Sequence, residues 1–69
     1  MMEKLSNNLK ELRKNASLTQ ADLAAAIGVS RKTINTIENR VFVPSTILAL
    51  KLAIVLHCSV HEIFELESD

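Results

Sequence analysis

The stretch from residue 20 to residue 39 is divided into two short helical segments by the only glycine of the chain, Gly28. Residues 20–27 include three consecutive alanines, which favour helix strongly. In residues 30–39, Ile34 and Ile37 are three positions apart and share one face of a second helix. Glycine readily takes the left-handed conformation that ends a helix, where a Cβ would cost about 1 kcal/mol. The sequence therefore predicts two short helices joined by a tight turn, and the other elements must pack around this pair.

Both helices of the pair begin next to residues that cap helices. Thr19 precedes the first helix, and Asp22 three positions later resembles a capping box with Asp in place of Glu. Ser30 precedes the second helix in the same way. One residue of the first helix, Ala24, is small because the second helix crosses there. The apolar anchors of the pair have mutually consistent spacing, and they are Leu23, Ile27, Val29, Ile34 and Ile37.

Three more short helices are predicted on either side of this pair. The first comprises residues 7–15, and its apolar stripe is formed by Leu5, Leu9, Leu12 and Ala16. Another comprises residues 46–56 and follows Pro44 and the capping residue Ser45.

The last helix starts at a full capping box, Ser59 to Glu62, and extends to about Phe64. After Phe64 apolar and polar residues alternate, so the tail is either a short strand or an extended segment. We expect an all-α fold: a compact bundle of about five short helices in one domain, residues 1–69.

The helix at residues 46–56 is apolar almost all round, with only Thr46 and Lys51 interrupting the run. Such a helix must be buried on more than one side. A 69-residue chain is too small to cover it alone, so we expect a homodimer whose dimerisation half is about residues 44–69. The candidate interface residues are Leu56, Val60, Ile63, Phe64 and Leu66.

The two halves of the chain carry opposite net charges, although the whole chain is neutral. Residues 1–40 have seven basic and four acidic side chains, a net charge of +3. Residues 41–69 have one basic and four acidic side chains, a net charge of −3. The basic half suits phosphates and the acidic half should face away from them. Because such an asymmetry is common in small proteins, it is only supporting evidence for a nucleic-acid partner.

Several other classes of protein are disfavoured by the sequence. The N-terminus lacks the apolar core of a signal peptide and no run is long enough to span a bilayer, so we expect a cytoplasmic protein without a membrane partner. We find no nucleophile–base pair and no phosphate loop, and predict neither an enzyme nor a cofactor. Cys58 is expected to be a buried or interface thiol. His57, Cys58 and His61 are not expected to bind a metal, because a helix cap at Ser59 separates the two histidines.

The second helix of the central pair carries polar side chains away from its apolar face: Arg31, Lys32, Thr33, Asn35, Thr36 and Asn39. This is the arrangement of a helix-turn-helix whose second helix enters the major groove of DNA. The free backbone N–H groups at both helix starts, near Gln20 and Ser30, are suited to phosphate. We therefore predict a protein that binds double-stranded DNA.

Seven residues of this region resemble the Cro/C1-type (lambda-repressor-like, XRE) helix-turn-helix domain of phage repressors: Gln20, Ala24, Gly28, Ile34, Glu38, Asn39 and Pro44. The resemblance extends from Asn8 to Phe64. It implies a lambda-repressor-like domain with its helix-turn-helix at residues 20–39, which binds a palindromic operator as a homodimer. The chain is similar in length to stand-alone regulators without a ligand-binding domain, so we expect no small-molecule effector.

The resemblance also implies roles for individual residues. Arg31, Lys32 and Thr36 would read base edges, with Arg31 or Lys32 on guanine. Thr33 and Asn35 would contact phosphate or thymine methyl groups. The implied DNA-binding set is Thr19, Gln20, Ser30, Arg31, Lys32, Thr33, Asn35, Thr36, Asn39 and Arg40. Arg13 and Glu38 match an ion pair that fixes the recognition helix in this family.

One departure from the family pattern is Arg40, where glycine is usual. A left-handed arginine costs about 1 kcal/mol, so the helix could end differently here. The loop that follows, residues 41–43, is apolar instead of basic, and we expect fewer phosphate contacts from it.

The function that the sequence favours is transcriptional repression. The alternative is the antitoxin of a toxin–antitoxin pair, in which protein binding is the primary role. A third interpretation is a structural oligomer whose basic face is incidental.

Overall fold

The computed structural model describes residues 4–67, in which five helices follow one strand and precede another. In chain order these elements are β1 (Lys4–Asn7), α1 (Leu9–Asn15), α2 (Gln20–Ile27), α3 (Arg31–Glu38), α4 (Thr46–Val55), α5 (Val60–Ile63) and β2 (Phe64–Glu67). The predicted bundle of five short helices is confirmed, and the tail is a strand. The last two residues of the alternating tail, Ser68 and Asp69, lie outside the described residues.

The strand β1 was not predicted, and the first helix is shorter than residues 7–15. Leu5 and Asn7 lie in β1, which pairs antiparallel with β2 so that Leu5 is opposite Leu66 and Asn7 is opposite Phe64. The side chain of Asn7 accepts a hydrogen bond from the N–H of Leu9 at 3.1 Å. The N–H of Asn8 donates to the carbonyl of Ile63 at 2.8 Å. These contacts fix the chain as a strand up to residue 7, so α1 starts only at Leu9.

Hydroxyl side chains cap the start of four helices. The side chains of Thr19, Ser30, Ser45 and Ser59 each accept a hydrogen bond from the backbone N–H three residues later. At Thr19 and Ser59 the acidic side chain at that position bonds back to the cap, so both predicted capping boxes are present. These local signals explain why the starts of α2, α3 and α4 agree with the sequence prediction.

Four helices end on a residue in the left-handed conformation: Ser17, Gly28, Arg40 and His57. After α3, the N–H of Arg40 donates to the carbonyl of Ile37 at 3.0 Å and that of Val41 to the carbonyl of Thr36 at 2.9 Å. The same pair of bonds follows the other three helices. This is the Schellman arrangement, which satisfies carbonyls that a helix end leaves free.

The core lies between the helices and one face of the sheet. Its fully buried side chains come from every helix: Leu9, Leu23, Ile34, Ile37, Leu52 and Ile63. Ile63 has no exposed surface and is a core residue, which corrects its assignment to a dimer interface. Phe64 is also largely buried, whereas Leu66 is 64% exposed.

Helix α4 is only partly covered within one chain. Leu52 and Ala53 are buried, but Ile47, Leu50 and Ile54 are 67%, 51% and 72% exposed.

Within residues 4–67 no helix is long and apolar enough to cross a membrane.

Candidate nucleic-acid interface

The helices α2 and α3 form a pair joined by the turn at Gly28 and Val29. Gly28 has a φ of +76°, and the N–H of Val29 donates to the carbonyl of Ala24 at 3.0 Å. Ile34 and Ile37 of α3 are fully buried against the core, so the opposite face of the helix is available to solvent. The pair therefore presents α3 as an exposed, firmly packed helix.

An ion pair fixes the C-terminal end of α3 to α1. Nε of Arg13 lies 2.6 Å from Oε2 of Glu38, and Nη2 of Arg13 lies 3.3 Å from Oε1. The two side chains are only 8% and 3% exposed. Arg13 also donates through Nη1 to the carbonyl of Leu18 at 2.8 Å. A charged pair buried to this degree needs such additional bonds, and here they connect α1, the following turn and α3.

Gln20, at the start of α2, also bonds to this pair. Its Nε2 donates to Oε1 of Glu38 at 3.0 Å, and the residue is half-buried. The side chain therefore belongs to the connection between α2 and α3. Thr19 beside it is exposed.

The exposed face of α3 carries two cations and two amides. Arg31, Lys32 and Asn35 are exposed, and Asn39 just beyond the helix donates through Nδ2 to Oδ1 of Asn35 at 3.2 Å. Arg31 and Lys32 lie in the first turn of α3. These four side chains offer hydrogen-bond groups to a partner that approaches this face.

The hydroxyl groups of α3 are used within the protein. Oγ1 of Thr36 donates to the backbone, with the carbonyls of Lys32 and Thr33 each at 3.0 Å. Oγ1 of Thr33 lies 3.1 Å from Oγ of Ser30, which also accepts the N–H of Thr33. Thr33 and Thr36 are half-buried. Their hydroxyls are therefore less available to DNA than the sequence suggested.

Arg40 is directed to the sheet. It adopts the left-handed conformation, with a φ of +62°, and its Nε donates to the carbonyl of Leu5 at 3.2 Å. Its guanidinium also forms an ion pair with Glu67. From β1, Asn7 donates through Nδ2 to the carbonyl of Ile37 at 3.0 Å. The sheet thus binds the end of α3 at two points, through contacts that no local sequence pattern indicates.

The loop after Arg40 is apolar and exposed. Val41, Phe42 and Val43 are 78%, 44% and 65% exposed. The backbone N–H groups of Val41 and Phe42 both donate to the carbonyl of Thr36, at 2.9 and 3.2 Å. The first two residues of the loop are therefore fixed against α3.

The histidines and the cysteine belong to α5 and to the turn between α4 and α5. Among residues 4–67 no three His, Cys, Asp or Glu side chains form a group that could hold a metal ion. Burial raises the pKa of the Cys58 thiol, and the nearby carboxylate of Glu62 raises it further. A raised pKa keeps the thiol protonated at neutral pH and so reduces its reactivity.

Known proteins resemble this chain over almost its whole length. The helix-turn-helix family matches residues 9–63. The chain belongs to the XRE-type helix-turn-helix family. Two relatives are uncharacterized HTH-type transcriptional regulators, and each match covers 94% of this chain and 98% of the relative. The one from Methanocaldococcus jannaschii is 43% identical and YgzD of Bacillus subtilis is 35% identical.

Among solved structures, the restriction-modification controller protein C.AhdI from Aeromonas hydrophila is similar in both sequence and fold. It is 33% identical, with a TM-score of 0.74 over 78% of this chain and 82% of that one. As a member of the XRE-type family, the chain is a DNA-binding transcriptional regulator and not an enzyme.

Proposed function

We propose that this regulator recognises a specific operator by placing residues 30–39 in the major groove. The observation that carries the proposal is the arrangement of α3. Arg31, Lys32 and Asn35 share an exposed face, while the opposite face is fully buried and the end of the helix is fixed by Arg13 and Glu38. A rigid helix with cations in its first turn suits the acceptor atoms of guanine in the groove.

Other residues of the predicted set position the helix on the DNA. Thr19 and Ser30 are exposed caps at the starts of α2 and α3, where free backbone N–H groups can receive phosphate. Gln20 reaches phosphate while remaining bonded to Glu38. Asn39 contacts the backbone beyond the helix. Arg40 is already paired with Glu67, which offsets part of its charge, so its contribution to DNA affinity is smaller than that of Arg31 or Lys32.

We propose further that the protein acts as a homodimer on a palindromic operator. An apolar groove of about 330 Å³ lies between α4 and the sheet; it is lined by Leu5, Pro44, Thr46, Ala49, Leu50, Val60 and Phe64. Leu66 is exposed and lies opposite Leu5 in the register, so it extends the same face of the sheet. Partly buried Leu56 belongs to the same half of the chain. To bind a palindromic operator, such a two-fold dimer must place its two α3 helices roughly 34 Å apart, one turn of DNA.

Repression is the regulatory outcome that we propose, because a dimer bound within a promoter would occupy DNA that the polymerase needs. Such a regulator acts in the cytoplasm, where the operator is. A reporter under the control of the selected operator should lose expression when the protein is present. Increased expression would contradict repression without affecting the DNA-binding assignment.

The test of sequence recognition starts with selection of the operator from random double-stranded DNA by the full chain. Lys32→Ala should weaken binding to the selected operator at least tenfold, and Arg31→Ala should do the same, because each removes a base contact. Lys51→Ala is the matched control, since Lys51 is exposed on α4 and has the same charge. Equal losses from Lys32→Ala and Lys51→Ala would show that only net charge matters and would overturn the assignment of α3.

A further inference from the structure

We infer that Val41 and Phe42 form, with α3, a recognition surface for the 5-methyl groups of thymine. This inference rests on the proposed sequence-specific binding through α3 and adds a determinant of specificity outside the recognition helix. The surface is a concavity of about 330 Å³, lined by Ser30, Lys32, Thr33, Thr36, Val41 and Phe42. We call it the loop pocket.

The loop pocket is largely apolar because its hydroxyl groups already form hydrogen bonds within the protein. Oγ1 of Thr36 bonds to carbonyls of its own helix, and the hydroxyls of Ser30 and Thr33 bond to each other. Besides the side chain of Lys32, the groups that remain for a ligand are the methyls of the two threonines and the side chains of Val41 and Phe42. A hydrogen-bonding base edge gains little from such a surface, whereas the thymine methyl group makes apolar contacts of this kind.

The loop pocket is continuous with the proposed DNA-reading face. Lys32 belongs to both, so the base pairs next to one read by Lys32 would lie close to the loop. The ammonium group of Lys32 at this surface favours a polyanion over an apolar protein segment. DNA is therefore the occupant that the charge and position of the pocket favour.

The pocket is also held in place before binding. The N–H groups of Val41 and Phe42 both donate to the carbonyl of Thr36, and Arg40 just before them is fixed to Leu5 and Glu67. Phe42 is 44% exposed, so more than half of its surface already packs against the protein. A side chain positioned in this way loses little conformational freedom on binding, which favours discrimination between bases.

The experiment replaces each thymine of the selected operator, one at a time, by deoxyuridine, which removes only the 5-methyl group. The full chain should bind at least one substituted operator about threefold to fivefold more weakly per half-site, the effect of one buried methyl group. Phe42→Ala should bind the thymine operator more weakly by a similar factor and should no longer distinguish thymine from uracil at that position. Val41→Ala should show a smaller loss of the same kind.

Val43→Ala is the matched control, because Val43 is 65% exposed in the same loop but does not line the loop pocket. It should retain the discrimination between thymine and uracil.

Unchanged discrimination in Phe42→Ala, or equal weakening on thymine and uracil operators, would overturn the inference and indicate a sugar or backbone contact. A change of oligomeric state in Phe42→Ala would overturn it in favour of a second copy of the chain. If the full chain selects no sequence at all, the proposed function fails. If it selects an operator whose binding requires Arg31 and Lys32 but no thymine methyl group, only this inference fails.

Discussion

Within residues 4–67, three residues other than glycine occupy left-handed positions at helix ends. Ser17, Arg40 and His57 have φ angles of +60°, +62° and +54°. This conformation costs an L residue about 1 kcal/mol relative to glycine. Arg40 offsets the cost through its bonds to Leu5 and Glu67, which hold the end of α3. His57 is exposed, and neither of the two ion pairs within residues 4–67 includes it.

His57→Gly should therefore increase the free energy of unfolding by about 0.5–1 kcal/mol, because it removes the strain and no stabilising contact. Arg40→Gly should increase the free energy of unfolding by less than His57→Gly does, or should decrease it. The reason is that the relief of backbone strain is opposed by the loss of the bonds from Arg40 to the sheet. Urea unfolding followed by circular dichroism measures both changes. A larger gain in Arg40→Gly than in His57→Gly would show that the contacts of Arg40 contribute nothing to stability.

The cap of α2 contains a carboxylate whose pKa is lowered. The backbone N–H of Thr19 donates to the carboxylate of Asp22 and makes the larger contribution to the lowered pKa. The bond to the Thr19 side chain makes a smaller contribution in the same direction. A group with a lowered folded pKa stabilises the protein above its unfolded pKa, and this contribution disappears as pH falls through the folded pKa.

Asp22→Asn should thus reduce the free energy of unfolding at neutral pH. It should also make that free energy depend less on pH in the acid range. Unfolding measured from pH 7 down to pH 3 tests this difference in slope, and an NMR titration of the Asp22 carboxyl gives its pKa directly. Glu11→Gln is the control, because Glu11 is also an exposed acid in the first turn of a helix. Identical profiles for the original chain and Asp22→Asn would contradict the role of the cap.

At the scale of elements, the orientation of α3 depends on the pair formed by Arg13 and Glu38. Both side chains are nearly inaccessible, and Gln20 adds a bond from α2. Removing one partner leaves a buried charge without compensation, which typically costs about 3–5 kcal/mol.

Arg13→Met should destabilise the protein by an amount of that order, whereas Arg13→Met with Glu38→Met should recover part of the loss, because no buried charge remains. Thermal unfolding of the two single variants and the double variant gives the coupling energy. The double variant should still bind the operator more weakly, since α3 is no longer fixed. Strictly additive losses would show that the two side chains do not stabilise the fold as a pair.

The helices were predictable because their ends are encoded locally. The bounds of α2 follow from Thr19 at one end and Gly28 at the other, and the structure has the predicted residues 20–27. The pairing of β1 with β2 joins positions about 60 residues apart, as in Leu5 with Leu66, and leaves no such local signal. For that reason Leu5 was assigned to a helical stripe.

The candidate site was predictable to a similar extent. Helical spacing placed Arg31, Lys32 and Asn35 on the exposed face of α3. It did not indicate that the hydroxyl of Thr36 bonds to its own helix, or that Arg40 would bond to the sheet. These outcomes depend on rotamers and on long-range contacts, which residue spacing does not determine.

At the scale of the molecule, the half of the chain that follows α3 combines acidic charge with exposed apolar surface. Leu50 and Leu66 are 51% and 64% exposed beside the groove between α4 and the sheet. Large apolar side chains that remain exposed together in a small protein often mark a protein interface. Since this half carries the acidic residues of α5 and β2, we expect it to be turned away from the phosphates while a second copy binds at the groove.

Leu66→Glu should abolish the homodimer without unfolding the chain, because the side chain is exposed in one copy and would place a charge in an apolar interface. Phe64 is unsuitable for this test, since it is largely buried and its replacement would disturb the core. Ile54→Glu is the control: Ile54 is 72% exposed on α4 but lies beside Ala25 and Gly28 of the α2 end, away from the groove. Sedimentation equilibrium of the three proteins measures the mass, and a dimer should have twice 7.6 kDa.

The same variants connect the dimer to operator binding. A monomeric Leu66→Glu variant should lose most of its affinity for the full palindrome, because two half-sites are no longer bound by one particle, and should bind an isolated half-site as well as the original chain does. If Ile54→Glu dissociates the dimer and Leu66→Glu does not, the interface lies on the α2 side of α4 and the spacing of the two α3 helices must be revised. A monomer that binds the palindrome tightly would contradict the need for a dimer, since each copy would then recognise its half-site alone.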